Sequence, residues 1–119
     1  MAWSFRAGRL SSACCWSAPI PRVTRNNVTG NGFAGIGVVS YCLGLALFGL
    51  PCTDLDVDPF PDGNSVANNI ALNNGTVPSD NPALDPLRAD LVWDGSGDGN
   101  CWASNAFATA APPELPACQ

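Results

Sequence analysis

The stretch Asn26-Asn27-Val28-Thr29-Gly30-Asn31 carries a pattern that returns twice: Asn, any residue, a large apolar residue, two further residues and Asn. The other copies are Asn64-Ser65-Val66-Ala67-Asn68-Asn69 and Asn100-Cys101-Trp102-Ala103-Ser104-Asn105. The copies begin at residues 26, 64 and 100, so their starts lie 38 and 36 residues apart. A period of this length is typical of stacked repeats, in which each unit buries its apolar face against its neighbours.

Short β-strands are predicted around each copy. Apolar residues at alternate positions, the spacing of one strand face, occur at Ile36 and Val38, at Ile70 and Leu72, and at Leu91 and Trp93. The chain is rich in Asn, Gly, Pro and Asp, which are residues of turns rather than of helices. Each unit is therefore expected to contain a short strand, an Asn corner, a second strand and a Gly-rich turn.

Asn residues are predicted to occupy the sharp corners between strands. Asn tolerates the left-handed backbone that such corners need, and stacked Asn amides hydrogen-bond to one another. The predicted corner residues are Asn26, Asn31, Asn64, Asn69, Asn100 and Asn105. Trp102 aligns with Val28 and Val66 in this repeat, so its side chain is expected in the core, and Trp93 is expected there too.

These motifs carry a resemblance to a known family. The pattern of residues 26–31, followed by Gly35-Ile36-Gly37-Val38, resembles right-handed parallel β-helix proteins of the pectin-lyase-like superfamily. Residues 89–102, with the closing Leu115-Pro116-Ala117-Cys118, are similar to the C-terminal end of bacterial secreted or lipoprotein-type members. The resemblance implies an all-β fold, a right-handed parallel β-helix (solenoid) of about three to four coils. Because the superfamily includes pectate lyases, polygalacturonases, alginate epimerases and members of no known activity, it indicates a fold rather than a reaction.

Three segments are expected along the chain. Residues 1–25 hold four of the five Arg and no acid, lack the apolar run of a secretory signal, and are predicted to be a disordered leader or a misassigned start. Residues 26–107 hold the coils, with insertions near residues 42–62 and 75–88, and residues 108–119 form a capping tail. Because no cap precedes Asn26, we expect a fragment whose natural neighbours are upstream β-helix coils.

The cysteines favour disulfides over metal binding. The chain has six Cys, no His and no C-x-x-C pair, so a zinc site is not supported. Cys42 and Cys52, and likewise Cys101 and Cys118, form local pairs, although spacing alone leaves the pairing open. Disulfides imply an oxidising compartment, so we expect an extracellular or cell-envelope protein.

The distribution of charged residues limits the classes of binding partner. Residues 26–119 hold all ten acids and a single base, Arg88, which disfavours nucleic acid and is compatible with cations or neutral polymers. No cofactor is predicted apart from calcium, which is a candidate. Its candidate ligands are Asp54, Asp56 and Asp58 in one loop, and Asp94 and Asp98 in another. Both loops lack the bidentate Glu that closes an EF-hand, and Asx turns with exposed acids are the alternative interpretation.

Asp90 and Asp94 are the candidate catalytic pair. Glycan hydrolysis uses two positioned carboxylates, and these two flank one predicted strand with both side chains expected to point outward. A solvated acidic face is the simpler interpretation, so an enzyme is not favoured.

The sequence therefore predicts a structural or carbohydrate-interacting module of a secreted or cell-envelope protein, without a complete active site. The first alternative is a truncated polysaccharide lyase or hydrolase of the superfamily. The second is a small membrane-anchored protein that spans the bilayer with residues 33–50, eighteen residues without a charge. A span needs about 20 apolar residues, and the Gly residues and paired cysteines of this stretch favour a strand and a loop.

Overall fold

The computed structural model describes residues 21–119, and the predicted leader lies largely outside the described residues. Short strands dominate this part of the chain. The nine strands are β1 (Arg22–Thr24), β2 (Asn27–Thr29), β3 (Ala34–Val38), β4 (Ser65–Ala67), β5 (Ile70–Leu72), β6 (Ala89–Trp93), β7 (Cys101–Ala103), β8 (Ala106–Phe107) and β9 (Ala110–Ala111). Helix α1 (Tyr41–Leu47) and a 3-10 helix (Pro82–Leu87) lie between strands.

The strands form three parallel sheets of three strands each. Sheet 1 has the order β1-β4-β7, sheet 2 the order β2-β5-β8, and sheet 3 the order β3-β6-β9. The chain thus visits the three sheets in turn, three times over. We call each set of three consecutive strands a layer, so that β1–β3 form layer 1, β4–β6 layer 2 and β7–β9 layer 3. The fold is all-β, as predicted.

The register of the strands differs from the predicted repeat. Val23 pairs with Val66, and Val66 with Trp102, while Asn27 pairs with Ile70. Equivalent corner residues therefore lie 43 residues apart between layers 1 and 2, and 36 apart between layers 2 and 3. The predicted offset of 38 residues between the first two copies is wrong.

The physical reason lies in β5. The true counterpart of residues 26–31 is Asn69-Ile70-Ala71-Leu72-Asn73-Asn74, in which Ala71 stands opposite Val28. Because Ala71 is small, residues 69–74 do not fit the pattern, which requires a large apolar residue at this position. Residues 64–69 have Val66 there, so the pattern aligns them with residues 26–31 instead. The position equivalent to Asn64 in layer 1 lies at Pro21, whose carbonyl accepts a hydrogen bond from the Ser65 N–H at 2.8 Å.

The core runs through all three layers. Val23, Val66 and Trp102 lie in register in sheet 1, and the buried cluster also includes Ile36 and Leu91 of sheet 3. Trp102 is buried as predicted, but its partners are Val66 and Val23 rather than Val28. The half-buried Trp93 packs against the same cluster, with its ring centroid 5.7 Å from that of Trp102.

Strands lie beyond both ends of the predicted coil region. β1 lies inside the predicted leader of residues 1–25, and Val23 belongs to the core, so the ordered repeat begins before Asn26. β9 lies inside the predicted tail of residues 108–119. The last residues then run along β7, where the Trp102 N–H donates to the Pro116 carbonyl at 2.8 Å and the Cys118 N–H donates to the Trp102 carbonyl at 3.2 Å.

Both predicted disulfides are confirmed. Cys42 is joined to Cys52, and Cys101 to Cys118. The first closes a loop around α1, and the second fastens the C-terminal tail to β7. Two disulfides are compatible with an extracellular protein.

Residues 33–50, the span of the membrane-anchored alternative, do not form one helix. They contain β3 and the seven-residue α1. Within residues 21–119, no helix combines the length and apolar character needed to cross a bilayer.

Candidate functional site

Asn side chains at the corner between sheets 1 and 2 form a column through the three layers, made by Asn26, Asn69 and Asn105. The Nδ2 atom of Asn26 donates to Oδ1 of Asn69 at 3.0 Å, and Nδ2 of Asn69 donates to Oδ1 of Asn105 at 3.0 Å. The backbone N–H groups of Asn26 and Asn69 donate to the same Oδ1 atoms, each at 3.0 Å. We call this the first amide column.

A second amide column stands at the corner between sheets 2 and 3 and is made by Asn31, Asn74 and Asp90. Oδ1 of Asn74 accepts from Nδ2 of Asn31 at 3.0 Å and from its backbone N–H at 3.1 Å. Oδ1 of Asp90 accepts from Nδ2 of Asn74 at 3.0 Å and from its backbone N–H at 2.9 Å. Asp90 thus accepts the bonds that Asn105 accepts in the first column.

A third, shorter column precedes sheet 1. Oδ1 of Asn100 accepts from Nδ2 of Asn64 at 2.8 Å and from the Asn64 N–H at 2.9 Å, and Nδ2 of Asn100 donates to the Pro61 carbonyl. All six predicted corner residues therefore take part in columns, but in the register of 43 and 36 residues. Asn74 was missed, because Asn73-Asn74-Gly75 reads as a turn. Its distance of five residues from Asn69, which equals that between Asn26 and Asn31, is the signal that could have identified it.

Asp90 does not point outward as predicted, since only 1% of its surface is exposed. Its Oδ2 accepts from the backbone N–H groups of Ala108 and Thr109, both at 3.0 Å, and from the Thr109 hydroxyl at 3.2 Å. The outward prediction failed because Asp90 joins the column in layer 2 to the backbone of layer 3, so its carboxylate faces donors on both sides.

The pKa of Asp90 reflects these contacts. Burial raises it, because desolvation penalises the charged carboxylate. The hydrogen bonds from the backbone of Asn74, Ala108 and Thr109 and from the Asn74 side chain together lower it by more, so the net pKa lies below its ordinary value. Asp90 is therefore a charged acceptor at neutral pH and lacks the raised pKa of a general acid.

Asp94, the second catalytic candidate, is also bound to backbone. Its Oδ2 accepts from the Ser40 N–H at 2.8 Å, and its Oδ1 accepts from the Ser96 N–H at 3.0 Å and from the Ser96 hydroxyl. The first bond connects the end of β6 to the residue that precedes α1. The carboxylates of Asp90 and Asp94 thus bind different backbone segments.

The calcium candidates lie in exposed loops. Asp54, Asp56 and Asp58 are all exposed, and Oδ1 of Asp58 accepts from the Phe60 N–H at 3.0 Å, as in an Asx turn. In the other loop the Asp98 N–H donates to Oδ1 of Asp62 at 2.6 Å. Among the described residues, no group of three or more His, Cys, Asp or Glu side chains is placed to hold a metal ion.

An open pocket of about 390 Å³ lies between these two loops. Its lining includes Phe60, which is 49% exposed, and the carboxylates Asp58, Asp62 and Asp98. An aromatic face beside oxygen acceptors can stack on a sugar ring and accept hydrogen bonds from its hydroxyls. Phe60 was not singled out from the sequence, because a lone Phe in a Pro-rich insertion gives no pattern.

A second, apolar groove of about 350 Å³ lies between the end of α1 and the insertion of residues 75–88, with Phe33, Leu47, Val77 and Leu84 in its lining. Arg88 lies in that insertion and is engaged locally. Its Nε lies 3.1 Å from Oδ1 of Asp85, and its Nη1 donates to the Gly75 carbonyl at 3.3 Å.

Similarity to known proteins does not indicate what this arrangement of residues does. Comparisons of the chain with protein-family models, with curated proteins and with solved structures find no match. The amide columns, the carboxylates and the two pockets are therefore the features that bear on function.

Proposed function

We propose that the chain is a right-handed parallel β-helix module with a structural role in a secreted or cell-envelope protein. The observation that supports this most directly is the use of buried polar side chains to join layers. Asn64, Asn69, Asn74, Asp90 and Asn100 are all buried, and each bonds across to another column member or to backbone. Buried polar side chains whose hydrogen bonds hold strands together are typical of a scaffold.

The length of one turn agrees with this proposal. Ala117 forms a parallel bridge with Trp102, so the chain returns to the same column of strands after about 15 residues where no insertion intervenes. The longer spacings of 43 and 36 residues include the segments that hold α1, the 3-10 helix and the Asp- and Gly-rich loops. Such excursions on the outside of a regular stack are where repeat proteins vary.

The structural role is tested by cutting the first amide column at its centre. Asn69 accepts two hydrogen bonds on Oδ1 and donates to the Val23 carbonyl at 2.8 Å. Asn69→Ala leaves several buried or half-buried polar groups unpaired, so we expect a loss of about 3 kcal/mol or more in the free energy of unfolding. The matched control is Asn27→Ala, since Asn27 is exposed in β2. Equal stability of the two variants in urea denaturation would contradict the proposal.

A carbohydrate-interacting role is the second candidate, and the pocket at Phe60 favours it. The charged side chains in that pocket are acids, which would repel a polyuronate and accept hydrogen bonds from the hydroxyls of a neutral glycan. The engagement of Asp90 and Asp94 by backbone gives the lyase or hydrolase alternative less support, because neither carboxylate is free to act on a substrate in this arrangement.

Affinity electrophoresis tests the carbohydrate role. We expect gels containing the neutral polymer hydroxyethyl cellulose to retard the protein, and gels containing polygalacturonate to leave its mobility unchanged. Phe60→Ala should abolish the retardation, while Phe107→Ala, which removes a ring of similar exposure on β8, should keep it. No retardation of the wild-type protein, or equal loss in both variants, would refute binding at Phe60.

A further inference from the structure

Residues 41–52 form an apolar surface loop whose residues are all exposed or half-buried. The loop contains α1, the turn after it and the Cys42–Cys52 disulfide, and no residue of α1 is buried. Tyr41 is 56% exposed, Phe48 82% and Leu50 53%. We call these twelve residues the apolar loop. Large apolar side chains grouped on a surface in this way mark a contact site.

The apolar loop also lies in a long stretch without charge. No Asp, Glu, Lys or Arg occurs between Arg25 and Asp54. Transfer of this loop into an apolar medium therefore carries no cost for desolvating an ionised side chain.

The backbone N–H groups at the tip of the loop are paired within the loop. The Phe48 N–H donates to the Leu45 carbonyl at 3.0 Å, the Gly49 N–H to the Ala46 carbonyl at 3.1 Å, and the Leu50 N–H to the Leu45 carbonyl at 3.0 Å. Gly49 has a φ of 69°, which allows this closed turn after the helix. The tip thus offers no unpaired N–H at residues 48–50, which lowers the cost of placing its backbone in lipid.

The loop is held in this shape before any partner arrives. The disulfide closes its base, the Tyr41 N–H donates to the Pro59 carbonyl at 2.8 Å, and the Ser40 hydroxyl caps α1 by accepting from the Leu43 N–H at 3.1 Å. A pre-organised loop loses little conformational entropy when it binds.

We propose that the apolar loop inserts into the interfacial region of an electrically neutral lipid bilayer, with Phe48 and Leu50 entering deepest. This is contact with one leaflet, and it requires no span. Neutral headgroups follow from the net charge of −5, because an anionic surface would repel the protein. The inference goes beyond the proposed structural role and does not depend on it.

A second copy of the chain is a less fitting occupant. A stable dimer buries about 800 Å² on each partner, from roughly 20 to 30 residues, whereas the apolar loop has twelve. A protein partner would also be expected to pair with polar groups around the contact, and the tip of the loop offers no charge and no free N–H to pair with.

Co-sedimentation of the full chain with phosphatidylcholine vesicles tests the inference. We expect wild-type protein to pellet with the vesicles to the same extent at low and at high salt. Phe48→Asp should reduce the partition coefficient roughly tenfold or more, because a charge is then placed in the bilayer. Phe107→Asp places the same charge on an exposed Phe of β8 and should bind as the wild type does. Phe48→Leu keeps an apolar tip and should also bind.

Three results would overturn the proposal: no sedimentation of the wild-type protein, equal losses in Phe48→Asp and Phe107→Asp, or a concentration-dependent dimer that Phe48→Asp abolishes. The last would assign the loop to a second copy. Circular dichroism of each variant shows whether a loss reflects the loop or the fold. If Phe48→Asp does not fold, the comparison of Phe48→Ser with Phe48→Leu replaces it, and equal binding of those two variants would contradict insertion.

Discussion

Asp90 occupies a position in the second amide column where an Asn could not accept all of the hydrogen bonds. An Asn in a column accepts through Oδ1 and donates through Nδ2, as Asn69 does between Asn26 and Asn105. Asp90 faces Asn74 on one side and the N–H groups of Ala108 and Thr109 on the other, and all of them donate. A carboxylate accepts on both oxygens, so it satisfies both sides.

Asp90→Asn is therefore expected to destabilise the fold by about 2–3 kcal/mol, because an amide N–H would replace the buried carboxylate oxygen that accepts from two backbone N–H groups. Urea denaturation at neutral pH measures the loss. The control is Asp80→Asn, an exposed acid, which should change stability by less than about 0.5 kcal/mol. Equal effects of the two substitutions would mean that the column does not depend on the charge of Asp90.

The same residue predicts a pH dependence. The pKa of Asp90 is lower in the folded than in the unfolded chain, so its stabilising contribution is complete above the unfolded value of about 3.9 and is lost as the pH falls through the folded value. The stability difference between wild type and Asp90→Asn should thus be constant from pH 7 to about pH 5 and shrink below about pH 4. A difference that grows in acid would contradict this assignment.

Gly35 in β3 lies so close to Asn74 and Asp90 of the second amide column that a side chain there would clash with them. A Cβ on Gly35 would press against the Asp90 carbonyl oxygen and lie 2.8 Å from Nδ2 of Asn74. Since backbone cannot move aside, Gly35→Ala should cost about 2–3 kcal/mol, as measured by thermal or urea unfolding. Gly44→Ala is the matched control, because its Cβ would meet nothing within 4 Å and Ala favours α1. A stable Gly35→Ala protein would refute the close approach.

At the scale of elements, the two disulfides are expected to differ. The Cys101–Cys118 bond closes a 17-residue loop and holds the tail on β7, beside the buried Trp102. Replacing both cysteines with Ala should cost about 3 kcal/mol and speed hydrogen exchange at the Trp102 N–H.

The Cys42–Cys52 bond closes the apolar loop, in which α1 buries no side chain. Once this bond is removed, the loop can open without disturbing the sheets, so the same double replacement should cost less than about 1 kcal/mol. Urea midpoints of the two double variants give the comparison. A larger loss for Cys42 and Cys52 would show that the loop supports the core.

Helix α1 and the 3-10 helix Pro82–Leu87 were not predicted from the sequence. Each lies in an insertion that was expected only as a surface excursion, and each is too short to give a helical period. Local capping explains them better: Ser40 caps α1, and the Asn81 side chain accepts from the Ala83 N–H.

At the scale of the molecule, the fold class was predictable because Asn corners and alternating apolar residues are local features. The disulfides were predictable because each joins cysteines close in sequence. The register between layers was not predictable from the sequence. Ala71 lies where the pattern requires a large apolar residue, so the pattern does not align β5 with β2. The inward position of Asp90 was missed for a related reason, since its donors on layer 3 are 18 and 19 residues away.

This register makes the stack cooperative. Val23, Val66 and Trp102 form one buried row through three layers, and every layer adds members to the amide columns. Loss of one layer exposes the apolar face and the column atoms of the next. Unfolding is therefore expected as a single transition for residues 21–119.

The hydrogen bond donated by the Ser65 N–H distinguishes this stacking from a 38-residue repeat. Trans-hydrogen-bond scalar couplings between ¹⁵N and carbonyl ¹³C, measured by NMR, identify the acceptor. We predict coupling of Ser65 to the Pro21 carbonyl and of Ile70 to the Asn26 carbonyl, both bonds being 2.8 Å long. Coupling of Ser65 to the Asn26 carbonyl, which a 38-residue repeat requires, would contradict the three-layer stack.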